Sequence, residues 1–325
     1  TRFEAAAQAV LGAADPRFHM PDQDLGMAAM RGVRAPYSGL LRHGIAQVLI
    51  LLALWGDEIR TVAHAAQRAD AIVRALLRHA DAQRWWSLSG DFQLLAEASP
   101  PAFLDAIEDS LDQTDPPIRA LFRSDGEGAF TTEYLSNLLW ALESLAWSPD
   151  WMPRVTHVLA RLDAIDPSGR YTNRPGNSLR EIHILWNPQT HAPLALRLKA
   201  LDLIRRRESN AAWKLMLGIL PSDHDISTPS PMPRWRDFSV DQTEEVTYSL
   251  VAHGAAAITE RLLLDAGENA NQWSILLGRF AHLAPDTEAG LAVLEAVEPK
   301  ITDRADRTLL WKSLRRELHR HREFP

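Results

Sequence analysis

The chain has 325 residues, of which 46% are hydrophobic and 24% charged, and its formal net charge is −7. This balance is that of an ordinary folded protein and argues against disordered and fibrous classes. The acidic charge argues against nonspecific binding to nucleic acid or to anionic membranes. Because no cysteine is present, disulfides, thiolate zinc sites and cysteine nucleophiles are excluded, which fits a cytoplasmic protein.

Helical patterns follow one another along the whole chain, without the period-two alternation of strands. The first predicted helix covers 3–11, and Ser38 is placed to cap a second over 39–55. Its most apolar run, 45–55, is too short for a bilayer, which needs ~20 apolar residues. We therefore predict no membrane partner and expect this helix to be the best buried of the fold. Further helices are predicted over 61–80, 91–98, 102–111 and 118–122.

Two apolar stripes with the same spacing lie in the middle of the chain. Positions i, i+3, i+4, i+7 and i+10 are apolar from Leu135 to Leu145 and again from Val155 to Ile165, with Trp147-Ser148-Pro149 between them. Each set falls on one helical face, so the segment predicts a helical hairpin. A hairpin striped on both arms buries its stripes against further hairpins, as in stacked helical arrays that bind or scaffold.

The second half of the chain continues the helical pattern. Ser178 and Glu181 have the spacing of a capping box for a helix ending at Trp186. A second hairpin is predicted over 194–207 and 210–220. After an irregular, proline-rich stretch, helices are predicted over 243–265, 272–283, 287–297 and 303–321.

The helices are unevenly spaced, which excludes the strict short repeats. We predict an all-α fold of irregularly stacked helical hairpins, a HEAT- or armadillo-like α-solenoid. Residues 1–325 would form one helical-repeat region, with a subdivision near 221–238 into a first helical array, 1–220, and a C-terminal helical bundle, 239–325. Because the chain starts at Thr1 and a helical pattern begins almost at once, we expect it to be a fragment of a longer protein.

Catalytic signatures are missing from the sequence. It contains no glycine-rich phosphate loop, no G-x-S-x-G elbow and no H-E-x-x-H, so we predict neither an enzyme nor a cofactor. Asp223-His224-Asp225 is interpreted as an ordinary turn, since sequence neighbours rarely converge on one ion, and no metal is predicted.

The candidate binding residues lie in or beside two irregular loops, 166–177 and 221–238. These residues are Arg174, Arg180, Arg234, Trp235 and Arg236. An arginine beside an exposed tryptophan can stack on bases or clamp phosphates and carboxylates. The alternative, which we favour, is that Trp235 and Phe238 pin the long loop to the array while an arginine pairs with a carboxylate. Convergence of the two loops on one face would favour a binding surface.

Several stretches resemble the helical C-terminal region of large bacterial multidomain proteins. They are Leu139–Pro149, Asn173–Pro175 with Ser178–Ile182, Ser227–Pro229 with Pro233–Asp237, and Pro36–Ser38 with Leu41–Gly44. Such proteins are similar to STAND-type NTPases and related anti-phage defence proteins. The resemblance covers most of residues 1–240. It implies a helical region that senses a trigger for effector and NTPase domains, and it supplies no catalytic residues.

Three functions are weighed. The leading hypothesis is a non-enzymatic helical scaffold or sensor region of a larger bacterial protein that binds a protein partner or self-associates. The alternative is a HEAT-like nucleic-acid-contacting module that uses the candidate arginines, which the acidic net charge opposes. The third is an all-helical active site built from Glu143, His157 and His183, although polar groups near apolar stripes usually have structural partners.

Overall fold

A computed structural model describes residues 2–58, 63–123, 134–167, 173–222, 225–241, 243–279 and 287–323. In these ranges the regular secondary structure is helical throughout, so the predicted all-α class is confirmed. The helices of the N-terminal half are α1 (Arg2–Leu11), α2 (Gly39–Trp55), α3 (Ala65–Leu77), α4 (Ala82–Leu88), α5 (Phe92–Ala98), α6 (Pro100–Leu111), α7 (Tyr134–Ala146) and α8 (Met152–Ala164). Those of the C-terminal half are α9 (Pro175–His183), α10 (Leu194–Arg207), α11 (Ser209–Ile219), α12 (Tyr248–Ala266), α13 (Ala270–Leu277), α14 (Thr287–Val297) and α15 (Arg304–Glu323).

Local sequence signals place several helix ends correctly. The Ser38 side chain accepts a hydrogen bond from the Leu41 N–H and caps α2, as predicted. The central hairpin is formed by α7 and α8, whose apolar stripes are buried except at Ile165, a half-buried residue directly after α8. Helix α12 begins at Tyr248 and not at the predicted 243, because the side chain of Thr247 caps it by accepting from the Leu250 N–H.

The predicted capping box is wrong. Helix α9 begins at Pro175, a residue suited to the first helical turn, and ends at His183, before the expected end at Trp186. Ser178 therefore lies inside the helix, where its hydroxyl donates to Glu143 and cannot cap. The Glu181 carboxylate also serves other partners, described below.

The chain divides into two compact units that interleave in sequence. Unit 1 contains 1–182, 189–211 and 228–243, and unit 2 contains 183–188, 212–227 and 244–325. In unit 1 the contacts follow two rows of helices, one with α2, α5 and α7 and the other with α3, α6, α8 and α10. The pairs α2–α3, α5–α6 and α7–α8 join the rows.

Aromatic rings fill the core of unit 1. Trp85, Phe92 and Phe103 are fully buried. Their rings meet edge to face, with centroids 5.8 Å apart for Trp85–Phe92 and 5.7 Å for Phe92–Phe103. Such contacts add to the free energy gained by burying large apolar side chains. They fix α4, α5 and α6 around one centre.

Unit 2 is organised around the packing of α13 against α15. Trp273 in α13 is fully buried, and its indole N–H donates to the carbonyl of Gly267 at 2.8 Å. Gly267 has a φ of +46°, a left-handed conformation that favours glycine. The turn from α12 into α13 therefore depends on this glycine.

Helix α2 departs most from expectation. It was predicted to be the best-buried helix, but its buried residues are Ala46, Leu49 and Ile50. An uncovered stripe, called the outer face of α2, consists of Leu40, Leu41, Val48, Leu51 and Trp55. Apolar residues on every side of a helix predict that the helix is buried, but they do not identify the neighbours that cover each side.

Candidate binding surface

Residues 228–238, called the anchored segment, lie in the connection between α11 and α12 and belong to unit 1. The segment forms no helix, and side chains of unit 1 bind its backbone. We call five of these side chains the docking surface; they are Glu97, Ser144, Trp147, Glu181 and Gln189. The ring of His191 also forms a hydrogen bond with the Phe238 carbonyl oxygen, at 2.8 Å.

Glu97 holds the C-terminal half of the anchored segment. This α5 carboxylate is 2% exposed and accepts three consecutive backbone N–H groups, from Arg234 at 3.0 Å, Trp235 at 2.8 Å and Arg236 at 3.0 Å. Hydrogen bonds to a charged acceptor are stronger than neutral ones, and several are needed to compensate a buried carboxylate for its lost hydration. Glu97 is therefore the main anchor of the segment.

The Arg236 side chain strengthens this anchor. Its guanidinium donates to the carbonyl oxygens of Glu97 and Ala98, at the C-terminal end of α5. Cations are stabilised at helix C-termini, where carbonyl groups lack helical partners. Burial lowers the pKa of Arg236, while Glu97 opposes the shift, and the guanidinium stays protonated.

The N-terminal half of the segment is held by neutral and acidic side chains. The Trp147 indole N–H donates to the Pro231 carbonyl at 3.0 Å. The Ser230 N–H donates to Gln189 at 3.1 Å, and the Thr228 N–H donates to Glu181 at 3.0 Å. These hydrogen bonds involve backbone groups of the segment and not its side chains, so they define an extended backbone path across unit 1.

Two of the five candidate binding residues form ion pairs, and the other three belong to the anchored segment. Arg174 pairs with Asp166 at 2.9 Å, and Arg180 pairs with Glu181 at 2.8 Å. Arg236 is half-buried on α5, Trp235 is half-buried, and Arg234 is exposed. Arg180 and the anchored segment share Glu181, so residues 173–181 and 228–238 meet there. Tyr171, which belongs to the predicted loop 166–177, lies outside the described residues.

Glu97, Ser144 and Gln189 were missed by sequence reasoning. Glu97 is the one charged residue within the helical pattern 91–98 after its first position, where it resembles an ordinary solvent-facing glutamate. Its partners are 137 to 139 residues away in sequence. A buried polar residue of this kind can be recognised only when the distant segment is in place.

A second polar cluster connects α7 with α9. The Ser178 hydroxyl donates to Glu143 at 2.5 Å. Burial raises the pKa of Glu143 to about 7, the hydrogen bond from Ser178 opposes this rise, and the nearby charge of Glu181 adds to it. Perturbed carboxylates of this kind occur at functional sites and in structural networks alike.

The other two residues of the hypothetical active site are His157 and His183. Burial lowers the pKa of His157, and the charges acting on it come from Arg161, Arg207, Glu208 and Glu108. The third candidate, His183, is buried and belongs to unit 2.

A cavity of about 350 Å³ lies in unit 1 beside α2. Its polar and aromatic lining includes Asp15, Arg17, Tyr37, Arg42, His43, Trp86, Asp91 and Tyr134. The charges in its wall are paired, Arg17 with Asp15 at 2.5 Å and Arg42 with Asp91 at 2.9 Å. Burial raises the pKa of Asp91, and Arg42 opposes that rise.

The Arg42 guanidinium also donates to the carbonyls of Val10 and Ser87, at 3.0 and 2.9 Å. It therefore joins α1, α2 and the end of α4 and acts as a structural cross-link.

Among the described residues, no group of three His, Cys, Asp or Glu side chains is arranged to hold a metal ion; Asp223 and His224 lie outside them. Comparisons with protein-family models, with curated proteins and with solved structures found no match.

Proposed function

We propose that this chain is a non-enzymatic scaffold or sensor region of a larger bacterial protein, and that it self-associates through the outer face of α2. In this proposal the architecture is an irregular solenoid of HEAT- or armadillo-like hairpins. The two rows of helices in unit 1 and the pairs that join them support it, because neighbouring hairpins of a solenoid contact one another in this way.

One observation carries the proposal: the outer face of α2 is apolar and partly exposed. Leu40 is 88% exposed, and Leu41, Val48, Leu51 and Trp55 are between 38% and 46% exposed. Contiguous apolar patches on a folded chain mark interaction sites. An elongated helical face of this kind pairs readily with its own copy, because a two-fold axis brings identical patches together.

Lipid is the competing occupant of this face. In the described part of the chain, one helix, Gly39–Glu58, is long and apolar enough to cross a membrane, with mean hydropathy 1.5. Arg42 lies in it and binds Asp91 and two carbonyls of neighbouring elements. The helix also packs on α3 and α5. These contacts favour a helix anchored in a protein fold, with one side open to a protein partner.

The resemblance to the helical regions of STAND-type NTPases gives the proposal a setting. In anti-phage defence, such a region would detect a trigger and self-association would bring the attached domains together. Contacts within the chain argue against nucleic-acid binding by the candidate arginines. Arg174, Arg180 and Arg236 already donate to carboxylates or carbonyls of their own chain.

Light scattering coupled to gel filtration tests the proposal. The unaltered chain should have at least twice its 36.4 kDa mass, and the double variant Leu40→Glu/Leu51→Glu should have the mass of one copy. Two carboxylates on the face would have to be desolvated on association, which opposes pairing.

The matched control is Leu264→Glu, since Leu264 in α12 is 72% exposed and lies away from α2 in sequence. It should leave the mass unchanged. A single-copy mass for the unaltered chain at high protein concentration would contradict the proposal.

A further inference from the structure

The anchored segment is bound to the surface of unit 1 and is not part of its core. Of residues 228–238, Ser230 is the one that is buried. Met232 is 57% exposed, and Arg234 and Asp237 are exposed as well. Apolar burial dominates the free energy of folding, so this segment contributes little of it. Segments with few buried apolar contacts open first in a native protein.

The docking surface beneath the segment is, by contrast, carried largely by helices of unit 1 or their ends. With the segment bound, Glu97, Ser144 and Gln189 are 2%, 3% and 7% exposed, and they lie on α5, on α7 and ahead of α10. Their polar atoms meet backbone N–H and C=O groups of the segment. Side chains that bind only main-chain groups can accept any extended segment with the same backbone path.

Two features of the bound segment indicate which peptide sequences this surface prefers. Three consecutive N–H groups bind Glu97, so proline is excluded at those three positions. The third position carries Arg236, whose guanidinium reaches the carbonyls that end α5. Prolines at 229, 231 and 233 precede them and favour an extended backbone, which lowers the entropy lost on binding.

We propose that the docking surface is a peptide-binding site for an extended, proline-flanked, arginine-containing segment of a partner protein, and that the anchored segment is its resident competitor. The connection from Ile219 to Tyr248 is long, and connections beyond ~15 residues in compact proteins are usually functional or mobile. Release of the segment removes no helix and one buried residue. A partner segment can therefore replace it at small cost to the fold.

The resident segment has a measurable consequence for affinity. When the protein's own segment occupies the site most of the time, the apparent affinity for a partner falls in proportion to the fraction of time that the site is free. Removing the resident segment should therefore tighten binding of a partner peptide. Self-association through α2 involves other residues, so the two proposals can fail separately.

The test uses a synthetic peptide with the sequence of residues 228–238 as the probe. The receptor is the full chain in which 228–238 is replaced by a Gly-Ser linker of equal length, with helix content checked by circular dichroism. Calorimetry should show one peptide per chain with a Kd on the order of 10 μM. The unaltered chain should bind at least about tenfold more weakly.

Matched changes locate the binding. In the linker chain, Glu97→Gln should weaken peptide binding by about tenfold, whereas the exposed control Glu58→Gln should not change it. A peptide with Arg236→Ala should also bind more weakly. No binding to the folded linker chain, or equal binding of a scrambled peptide, would overturn the proposal.

A measurement on the unaltered chain covers the case in which the linker chain does not fold. Excess peptide should accelerate hydrogen–deuterium exchange at the backbone amides of Arg234, Trp235 and Arg236, because their bonds to Glu97 open when the segment is displaced. Unchanged exchange would overturn the proposal. If the unaltered chain forms dimers and Glu97→Gln abolishes them, the surface binds a second copy of this chain. That result would also overturn the proposal.

Discussion

At the scale of single residues, the role of an acidic side chain in this protein depends on its surroundings in the fold and not on its neighbours in the sequence. Glu97 serves as an acceptor for three N–H groups, while burial raises the pKa of Glu143 to about 7. The sequence offers the same residue type in both cases. The local pattern places each on a helix but cannot show what covers it.

The raised pKa of Glu143 predicts how stability depends on pH. The folded state holds this proton up to about pH 7, whereas the unfolded chain releases it near pH 4.5. Between these values the folded state binds more protons, so the free energy of unfolding falls as pH rises. Glu143→Gln should remove this dependence and raise stability at pH 8 by up to about 3 kcal/mol.

Urea unfolding at pH 5 and pH 8 measures the effect. Asp150→Asn, at an exposed residue that follows α7, is the control and should keep the slope of the unaltered chain. A Glu143→Gln variant that loses as much stability as the unaltered chain between the two pH values would show that another group titrates.

At the scale of helices, sequence periodicity located most elements and missed their surroundings. The arms of the central hairpin were placed to within three residues, because their stripes are buried on one side. Helix α2 also had correct ends, yet its expected burial was wrong. A 3.6-residue period reports the direction of an apolar face, and the partner of that face comes from elsewhere in the chain or from another molecule.

Arg42 tests how α2 is fixed to its neighbours. Arg42→Ala leaves Asp91, whose side chain is 7% exposed, without its cation. An uncompensated buried charge is strongly destabilising, so the free energy of unfolding should fall by about 3–5 kcal/mol. Arg34→Ala, at an exposed residue, is the control.

Chemical denaturation of these variants checks the prediction. Addition of Asp91→Asn to Arg42→Ala should restore part of the loss, since the buried charge is then removed. If Arg42→Ala unfolds at the same urea concentration as the control, the cross-link from α2 to Val10, Ser87 and Asp91 does not stabilise the fold.

At the scale of the whole molecule, the sequence predicts the class of fold and leaves its organisation open. Periodicity alone suggested a subdivision near 221–238, whereas contacts group the chain into two interleaved units. The anchored segment is grouped with unit 1, although residues 212–227 and 244–325 on either side belong to unit 2. Contacts between segments this far apart in sequence leave no periodic signal, because periodicity reports only local structure.

Self-association through α2 is tested most directly by a disulfide between two copies. The chain contains no cysteine, so Val48→Cys introduces a single thiol. Val48 lies near the middle of α2 on its outer face, and a two-fold axis through a paired helix brings its central residue next to its own copy. Mild oxidation should convert the Val48→Cys chain to a covalent dimer at protein concentrations where Leu264→Cys stays monomeric. Equal, slow cross-linking of both variants would contradict self-association through α2.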